Sequence, residues 1–292
     1  MGGLVGQWTF ESGAEVRDLT GHFGDRTLQN GASVVNGSLN LDAGQAALSG
    51  AYAGPALGSK TMVAWLRLDN LDVQTGSPLS IEQVDVHGFD AIVYGERQSH
   101  RWMASSDFFN RTQDFNPGFQ ESTTGELVQV AITYEDLGGG LVRIRGYRDG
   151  IQIGDSTSGN MHTWNHGVIA KFGPRHAAFG SLDAHIDEAR IYNRVLTASD
   201  LAALSVVTPT ATNNLVGHWN FDDGTARDSS GYDNHGVPTG GAIVDGVLGR
   251  GLDLRGGGNF ITISNSASLQ THQFTVAYWT KLTVPQNPVI VT

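Results

Sequence analysis

IDEARIYNRVLTASDLAAL, Ile186–Leu204, carries two different periods in one short run. From Ala184 to Tyr192 apolar and polar residues alternate, as they do along a strand with one buried face. Thr197 then stands where a helix needs a cap, and Asp200, three residues on, completes a capping box. Leu201 and Leu204 supply one apolar stripe. A helix this short is not stable alone, so it must dock on the domain that the strand belongs to. Downstream, Ser205–Asn214 has the composition of a linker, and Pro209 bars simple continuation of the helix.

Working outward, the same alternation recurs over Thr61–Leu68, Leu127–Tyr134 and Leu141–Tyr147. Arg148-Asp149-Gly150 leads from the last of these into Ile151–Ile153. The Asp-Gly pair supplies the positive φ angles of a primed hairpin turn. The chain holds 39 glycines and its apolar residues lie in short runs, which favours many short strands joined by tight turns. The fold class that follows is all-β, closed as an antiparallel sandwich or a barrel.

The phrase LVGQWTF at Leu4–Phe10 returns as LVGHWNF at Leu215–Phe221. Arg17, Asp18 and Gly21 correspond to Arg227, Asp228 and Gly231. Leu39 and Leu41 correspond to Leu252 and Leu254, and Thr61, Trp65, Arg67 and Leu68 to Thr275, Trp279, Lys281 and Leu282. Internal repetition of this order marks a duplicated module. The expected organisation is a complete domain over 1–207, a linker over 208–214, and an incomplete second copy over 215–292 without counterparts to residues 69–204. That organisation makes the chain a fragment of a longer polypeptide, and leaves the second copy with unpaired strand edges and incompletely buried tryptophans.

With 18 basic and 29 acidic residues the formal charge is −11, and no Lys/Arg run exists. This disfavours nucleic acid and anionic membrane surfaces as partners. The absence of cysteine excludes disulfides, thiolate metal sites and cysteine nucleophiles. No segment has the roughly 18 apolar residues of a membrane span, and the N-terminal residues lack the pattern of a signal peptide.

These residues resemble a LamG-like jelly-roll module of the concanavalin A-like lectin/glucanase group. LVGQWTFE resembles that family's first strand, VAWLRL at Val63–Leu68 an early core strand, and VQVAITYE with the YRDG hairpin its paired central strands. Ile186–Leu204 resembles its last strand and terminal helix. Phe89–Phe115 is similar to the variant found in large proteins of planctomycete-type bacteria. The resemblance implies a jelly roll with a binding or adhesion role, frequently on carbohydrate and with a structural calcium. It also implies an extracellular or cell-envelope setting beside neighbouring domains of a parent protein.

Glycosidase chemistry needs two carboxylates about 5–10 Å apart across a cleft. Glu82 and Asp85 lie three apart, and Asp187 and Glu188 are adjacent, so neither pair shares a strand face. The chain is read as no enzyme, with a divergent glycoside hydrolase as the minor alternative. Asp187, in phase with Ala189 and Ile191, is expected to point inward at the sandwich rim. With Glu11 it is a candidate calcium ligand pair; a salt bridge from Asp187 to Arg175 or Arg190, or plain solvation, is the other reading. Asp18 and Asp228 are read as turn residues that accept backbone N–H groups. His162 and His166 are read as a loop pair.

Trp8 and Trp65 recur in the second copy and are assigned to packing. Trp102 and Trp164 have no counterpart within the second copy, which ends before either would appear. Trp102 lies in sequence near Phe108, Phe109 and Arg111. Trp102, Phe108, Phe109, Arg111 and Trp164 are the candidate ligand-binding set, since aromatic faces flanked by polar groups suit sugar stacking. The competing reading is a long loop that packs its aromatics over the core. The functional expectation is a non-catalytic module that binds a polysaccharide or other glycan, the alternative being a spacer or docking domain that binds no sugar.

Overall fold

The computed structural model describes residues 3–11, 17–35, 37–83, 88–165, 167–206, 216–221, 224–228, 230, 232, 234–246, 250–270 and 274–281. Asp85, His166, the 208–214 linker, Leu215, Asp222, Gly231 and Leu282 lie outside them. The chain divides into two compact units, Met1–Leu215 with Ser229–Asp233 and Val216–Asp228 with Asn234–Thr292.

The first unit begins with β1 (Leu4–Trp8), β2 (Thr27–Gln29), β3 (Ser33–Val35), β4 (Ser38–Leu41) and β5 (Ala46–Leu48). Its longer strands follow: β6 (Lys60–Leu68), β7 (Gly76–Gln83), β8 (Gly88–Tyr94), β9 (Trp102–Ser106), the two-residue β10 (Gln113–Asp114) and β11 (Val128–Gly138). β12 (Leu141–Arg148), β13 (Ile151–Ser158), β14 (Ile169–Pro174), β15 (Ala184–Tyr192) and α1 (Ala198–Ala203) complete it. They form two antiparallel sheets. The first runs β13-β12-β11-β6-β15-β4-β3, with β1 also pairing β15, and the second runs β10-β9-β8-β7-β14-β5-β2. This is the two-sheet jelly-roll sandwich.

Leu66, Ile132 and Ile144 from the first sheet meet Leu79, Ile81, Ile92 and Phe172 from the second in one core. Trp8 closes that core against Phe23 and Phe172, with ring centroids 5.0 and 5.4 Å away. Gly146 and Gly154 pair across β12 and β13 because Phe115 lies on both; a Cβ there would come within 2.2 and 2.6 Å of it. The outer face of the first sheet is also covered. Trp65, Tyr147 and Tyr192 pack under Leu201 of α1, whose Thr197–Asp200 capping box is formed. The β12–β13 turn has positive φ at Asp149 and Gly150 (50° and 75°), as the Asp-Gly pair requires.

Phe89–Phe115 supplies β8, β9 and β10, strands that alternation in the sequence does not mark. Both faces of β8 and β9 are buried, so the alternation that marks a half-exposed strand is missing. Asp187 does not point inward with Ala189. The pairing of β15 with β6 shifts register between Ile186 and Glu188. That bulge puts Ile186 and Ala189 both in the core and turns Asp187 out of it.

The second unit holds β16 (Gly236–Thr239), β17 (Ala242–Asp245), β18 (Arg250–Asp253) and β19 (Phe260–Ile263). β16 pairs β19 and β17 pairs β18, the arrangement that β2–β5 and β3–β4 show in the first unit. Local detail recurs too. Asp18 accepts from the backbone N–H groups of Gln7, Thr20, His22 and Phe23, and Asp228 from those of His218 and Asn234. Phe10 and Phe221 share a left-handed backbone, φ 56° and 61°. Trp219 is only half-buried and Trp279 is 93% exposed.

Candidate functional site

β8 alternates between two hydrophobic environments. Phe89, Ala91 and Val93 join Met103 on the outer face of the second sheet, while Ile92 and Tyr94 enter the core between the sheets. Asp90 is in phase with Ile92, so its carboxylate is fully buried. A bare carboxylate there would cost several kcal/mol. Three side chains from distant segments answer it. Lys60 Nζ of β6 stands 2.9 Å from Asp90 Oδ2, Arg111 Nε donates to Oδ1 at 2.7 Å, and Trp164 Nε1 donates to Oδ2 at 2.7 Å. Burial alone would push the Asp90 carboxyl up, but Lys60 and Arg111 together hold it below the usual carboxylate range. The Lys60 ammonium also lies 4.1 Å from the Tyr134 ring centroid.

From this buried centre Arg111 reaches outward. Its guanidinium donates to Asp107 Oδ1 at 2.7 Å and to the Asn160 carbonyl at 3.0 Å, and its backbone N–H donates to Ser106 Oγ. Ser158 Oγ donates to the Asn110 carbonyl, and Asn160 Nδ2 to Asn110 Oδ1. These bonds grip the 3-10 turn Asp107–Phe109 on both sides. Held between them, Phe108 and Phe109 take left-handed backbone angles, φ 47° and 58°. Their side chains are 84% and 70% exposed. A left-handed conformation costs a non-glycine residue about 1–2 kcal/mol, and the exposed rings recover little of it by burial. The corner is therefore strained, buttressed from inside the core, and aromatic on its solvent side.

A second aromatic group begins one strand away. Phe89 on β8 donates its N–H toward Asp107 Oδ1 (3.5 Å), and its ring is stacked by His176 at 4.4 Å. His176 in turn meets Phe179 at 5.0 Å, and Phe179 is exposed. The loop that carries His176 and Phe179 is pinned by the buried Glu82–Lys171 ion pair. Glu82 accepts from the Ala177 N–H and Lys171 donates to the Ala177 carbonyl. Adjacent strands lie about 4.8 Å apart, so Phe108–Phe109 and the Phe89–His176–Phe179 stack border one stretch of the second sheet.

The sequence-derived ligand set divides on this geometry. Phe108 and Phe109 offer rings to solvent. Trp102 and Trp164 do not, because both indoles are inside the sandwich, where their N–H groups donate to Glu121 and Asp90. Arg111 is buried as well and acts as the clamp. The structure brings Arg111 and Trp164 together around Asp90 and places Trp102 at the far end of β9, beside the Glu121–Arg148 pair. His162 packs on Trp164 (4.1 Å); burial, and then Arg111, hold its imidazole below the ordinary value. Sequence reasoning missed Asp90, Lys60, His176 and Phe179. An aspartate inside the apolar run of β8 was the one available signal.

Of the candidate calcium pair, Asp187 already has partners. Asp187 gives one oxygen to Ser38 Oγ (3.1 Å) and the other to Arg67 Nη1 (2.5 Å), so a guanidinium already neutralises it. The partner is Arg67, neither Arg175 nor Arg190. Glu11 lies against Gly37. Among the described residues no group of three or more carboxylate and imidazole ligands converges. A cleft lined by Leu71, Asp72, Val73, Gln74, Ser99 and His100 holds about 130 Å³, below the ~300 Å³ of ordinary small-molecule pockets.

Known proteins share this architecture. Domain 4 of an extracellular GH43 arabinanase from Geobacillus stearothermophilus, in complex with arabinotriose, superposes with a TM-score of 0.50 at 18% identity. The match covers 68% of this chain and 97% of that one. Trypanosoma rangeli sialidase gives 0.51 at 18% identity, covering 70% of this chain and 33% of the sialidase. A botulinum neurotoxin type C structure, described with cell entry that depends on two ganglioside molecules, gives 0.50 at 12% identity, covering 68% and 50%. The chain thus spans a third of the sialidase and half of the neurotoxin chain, and at these identities the likeness is one of fold. No curated protein sequence matches. The sequence profile of the concanavalin A-like lectin/glucanases superfamily matches residues 41–202, more than half of the chain and from β4 into α1. The chain belongs to the concanavalin A-like lectin/glucanase superfamily.

Proposed function

We propose that the first unit is a non-catalytic carbohydrate-binding module of a larger modular protein, and that it holds a glycan against the Phe108–Phe109 corner. One observation carries this reading. Two adjacent phenylalanines stand in solvent on a left-handed turn that the buried Arg111–Asp90 centre holds in place. Strain of this kind is retained where surrounding structure enforces it, and it concentrates at binding sites. Exposed rings bordered by Asp107, Asn110 and Asn160 match the apolar face and hydroxyl edge of a sugar. Two proteins of the same fold are described with sugars, arabinotriose and gangliosides.

The non-catalytic part of the reading rests on how the buried carboxylates are used. Glu82, Asp90, Glu121 and Glu188 each face a Lys or Arg, and Asp18 accepts backbone N–H groups. Placement outside the cell or at its envelope, a role in adhesion, and a second copy of the same module after residue 215 belong to this proposal.

Affinity electrophoresis of the full chain through gels that contain single polysaccharides tests it. The parent protein is expected to be retarded by at least one polymer. Phe108→Ala/Phe109→Ala is expected to run free with its unfolding midpoint unchanged, and neither protein should release reducing ends. Equal retardation of both proteins, or no retardation in any gel, overturns the reading; a module that only docks neighbouring domains would give the latter.

A further inference from the structure

We infer that the ligand of the Phe108–Phe109 corner is an uncharged glycan, bound along its chain and not by its end; this rests on the carbohydrate-binding reading above. Charge at the corner favours a neutral ligand. Every cation of the described residues around the aromatic group is matched by a carboxylate. Lys60 and Arg111 are answered by Asp90 and Asp107, Lys171 by Glu82 and Arg175 by Glu96. Recognition of carboxylate or sulfate groups calls for guanidinium or ammonium donors aimed at the ligand. Here the Arg111 donors are engaged by Asp90, Asp107 and the Asn160 carbonyl and those of Lys171 by Glu82 and the Ala177 carbonyl, on side chains that are almost fully buried. His162, held below its ordinary value by burial and by Arg111, is neutral at pH 7 and adds no positive charge. Around this balanced site the whole chain carries a formal charge of −11, so a polyanion would be repelled on approach.

The shape of the surface favours binding along a chain. The rings stand on an open surface: Phe108, Phe109 and Phe179 are 84%, 70% and 61% exposed. Phe179 meets His176 at 5.0 Å, and His176 stacks at 4.4 Å on Phe89, which is itself buried. An end-on site would enclose a terminal sugar, whereas separate exposed rings on an open surface, Phe108 and Phe109 at the corner and Phe179 on the neighbouring loop, can each face a different sugar of a chain. Neutral polymers of pyranose or furanose units suit such a surface, since they present apolar ring faces and uncharged hydroxyls.

The experiment is calorimetric titration of the full chain with two sets of soluble polymers at 50 and 500 mM NaCl. The neutral set is arabinan, xyloglucan, mixed-linkage β-glucan and galactomannan; the acidic set is polygalacturonate and alginate. The expected result is heat with at least one neutral polymer and affinity that changes less than about twofold with salt, since no counterions are released. No acidic polymer should bind. The matching pentasaccharide should bind at least tenfold more tightly than the monosaccharide. Phe179→Ala should weaken the polymer severalfold more than the monosaccharide. Salt-sensitive binding of an acidic polymer that Phe108→Ala/Phe109→Ala abolishes would overturn the inference while leaving the carbohydrate-binding reading intact. Equal affinity for monosaccharide and polymer would do the same. No heat with either set overturns both.

Discussion

Asp90→Asn removes the charge around which the binding corner is built. In the parent, one buried carboxylate faces Lys60, Arg111 and the Trp164 indole at 2.9, 2.7 and 2.7 Å. The amide keeps the shape but leaves Lys60 and Arg111 in the core with no buried anion between them. Breaking a buried pair in this way costs about 3–5 kcal/mol. For a domain of this size that corresponds to a fall of roughly 6–20 °C in the unfolding midpoint. The sign with pH follows from the held-down carboxyl of Asp90. Its contribution is complete above the unfolded carboxyl value near about pH 4 and is lost as pH falls through the lower folded value. The gap between parent and variant should therefore be widest at neutral pH and narrow in acid. Urea unfolding at pH 7 and at acidic pH, followed by tryptophan fluorescence, reads both effects. A variant within about 1 kcal/mol of the parent at pH 7, or a gap that widens in acid, would refute the reasoning.

Phe108→Gly/Phe109→Gly should leave the unfolding free energy unchanged or raise it by up to about 3 kcal/mol, read by urea titration. Relief of about 1–2 kcal/mol of left-handed strain per residue is opposed by glycine entropy of about 0.5–1 kcal/mol and the small area lost. Asp18→Ala, which orphans the N–H groups of Gln7, Thr20, His22 and Phe23, should cost at least about 3 kcal/mol in the same titration, since each buried unsatisfied donor costs about 1–3. Arg111→Lys cannot span Asp90, Asp107 and the Asn160 carbonyl at once. It should lower glycan affinity more than tenfold, read by calorimetry on protein shown folded by circular dichroism. Millimolar calcium should leave the melting midpoint in place, because Arg67 already occupies Asp187; a calcium-dependent rise that Asp187→Ala removes would restore the metal site.

What was legible in the sequence was what is local. The existence of a strand over Ala184–Tyr192, the Thr197–Asp200 cap and the Asp149–Gly150 turn each depend on neighbours within a few residues, and each forms as read. Asp187 was misplaced because a single-residue bulge reverses strand phase, and the bulge is set by pairing with β6, far away in sequence. β8 and β9 were obscured because both their faces are covered. Trp102 and Trp164 resembled a sugar platform in sequence because their partners were invisible there. The Glu121 carboxylate lies 19 residues from Trp102, and Asp90 lies 74 from Trp164; each lets an indole be buried with its N–H satisfied. Phe108 and Phe109 stayed exposed because the turn that carries them is fixed from below by Arg111.

The most direct measurement is aromatic NMR of the full chain during titration with a neutral polysaccharide fragment that it binds. Shifts are expected in the Phe108, Phe109 and Phe179 ring signals, while the buried Trp102 and Trp164 indole N–H signals stay in place. Shifts centred on the Leu71–His100 cleft, or on the indoles with the three phenylalanine rings unmoved, would contradict this placement of the ligand.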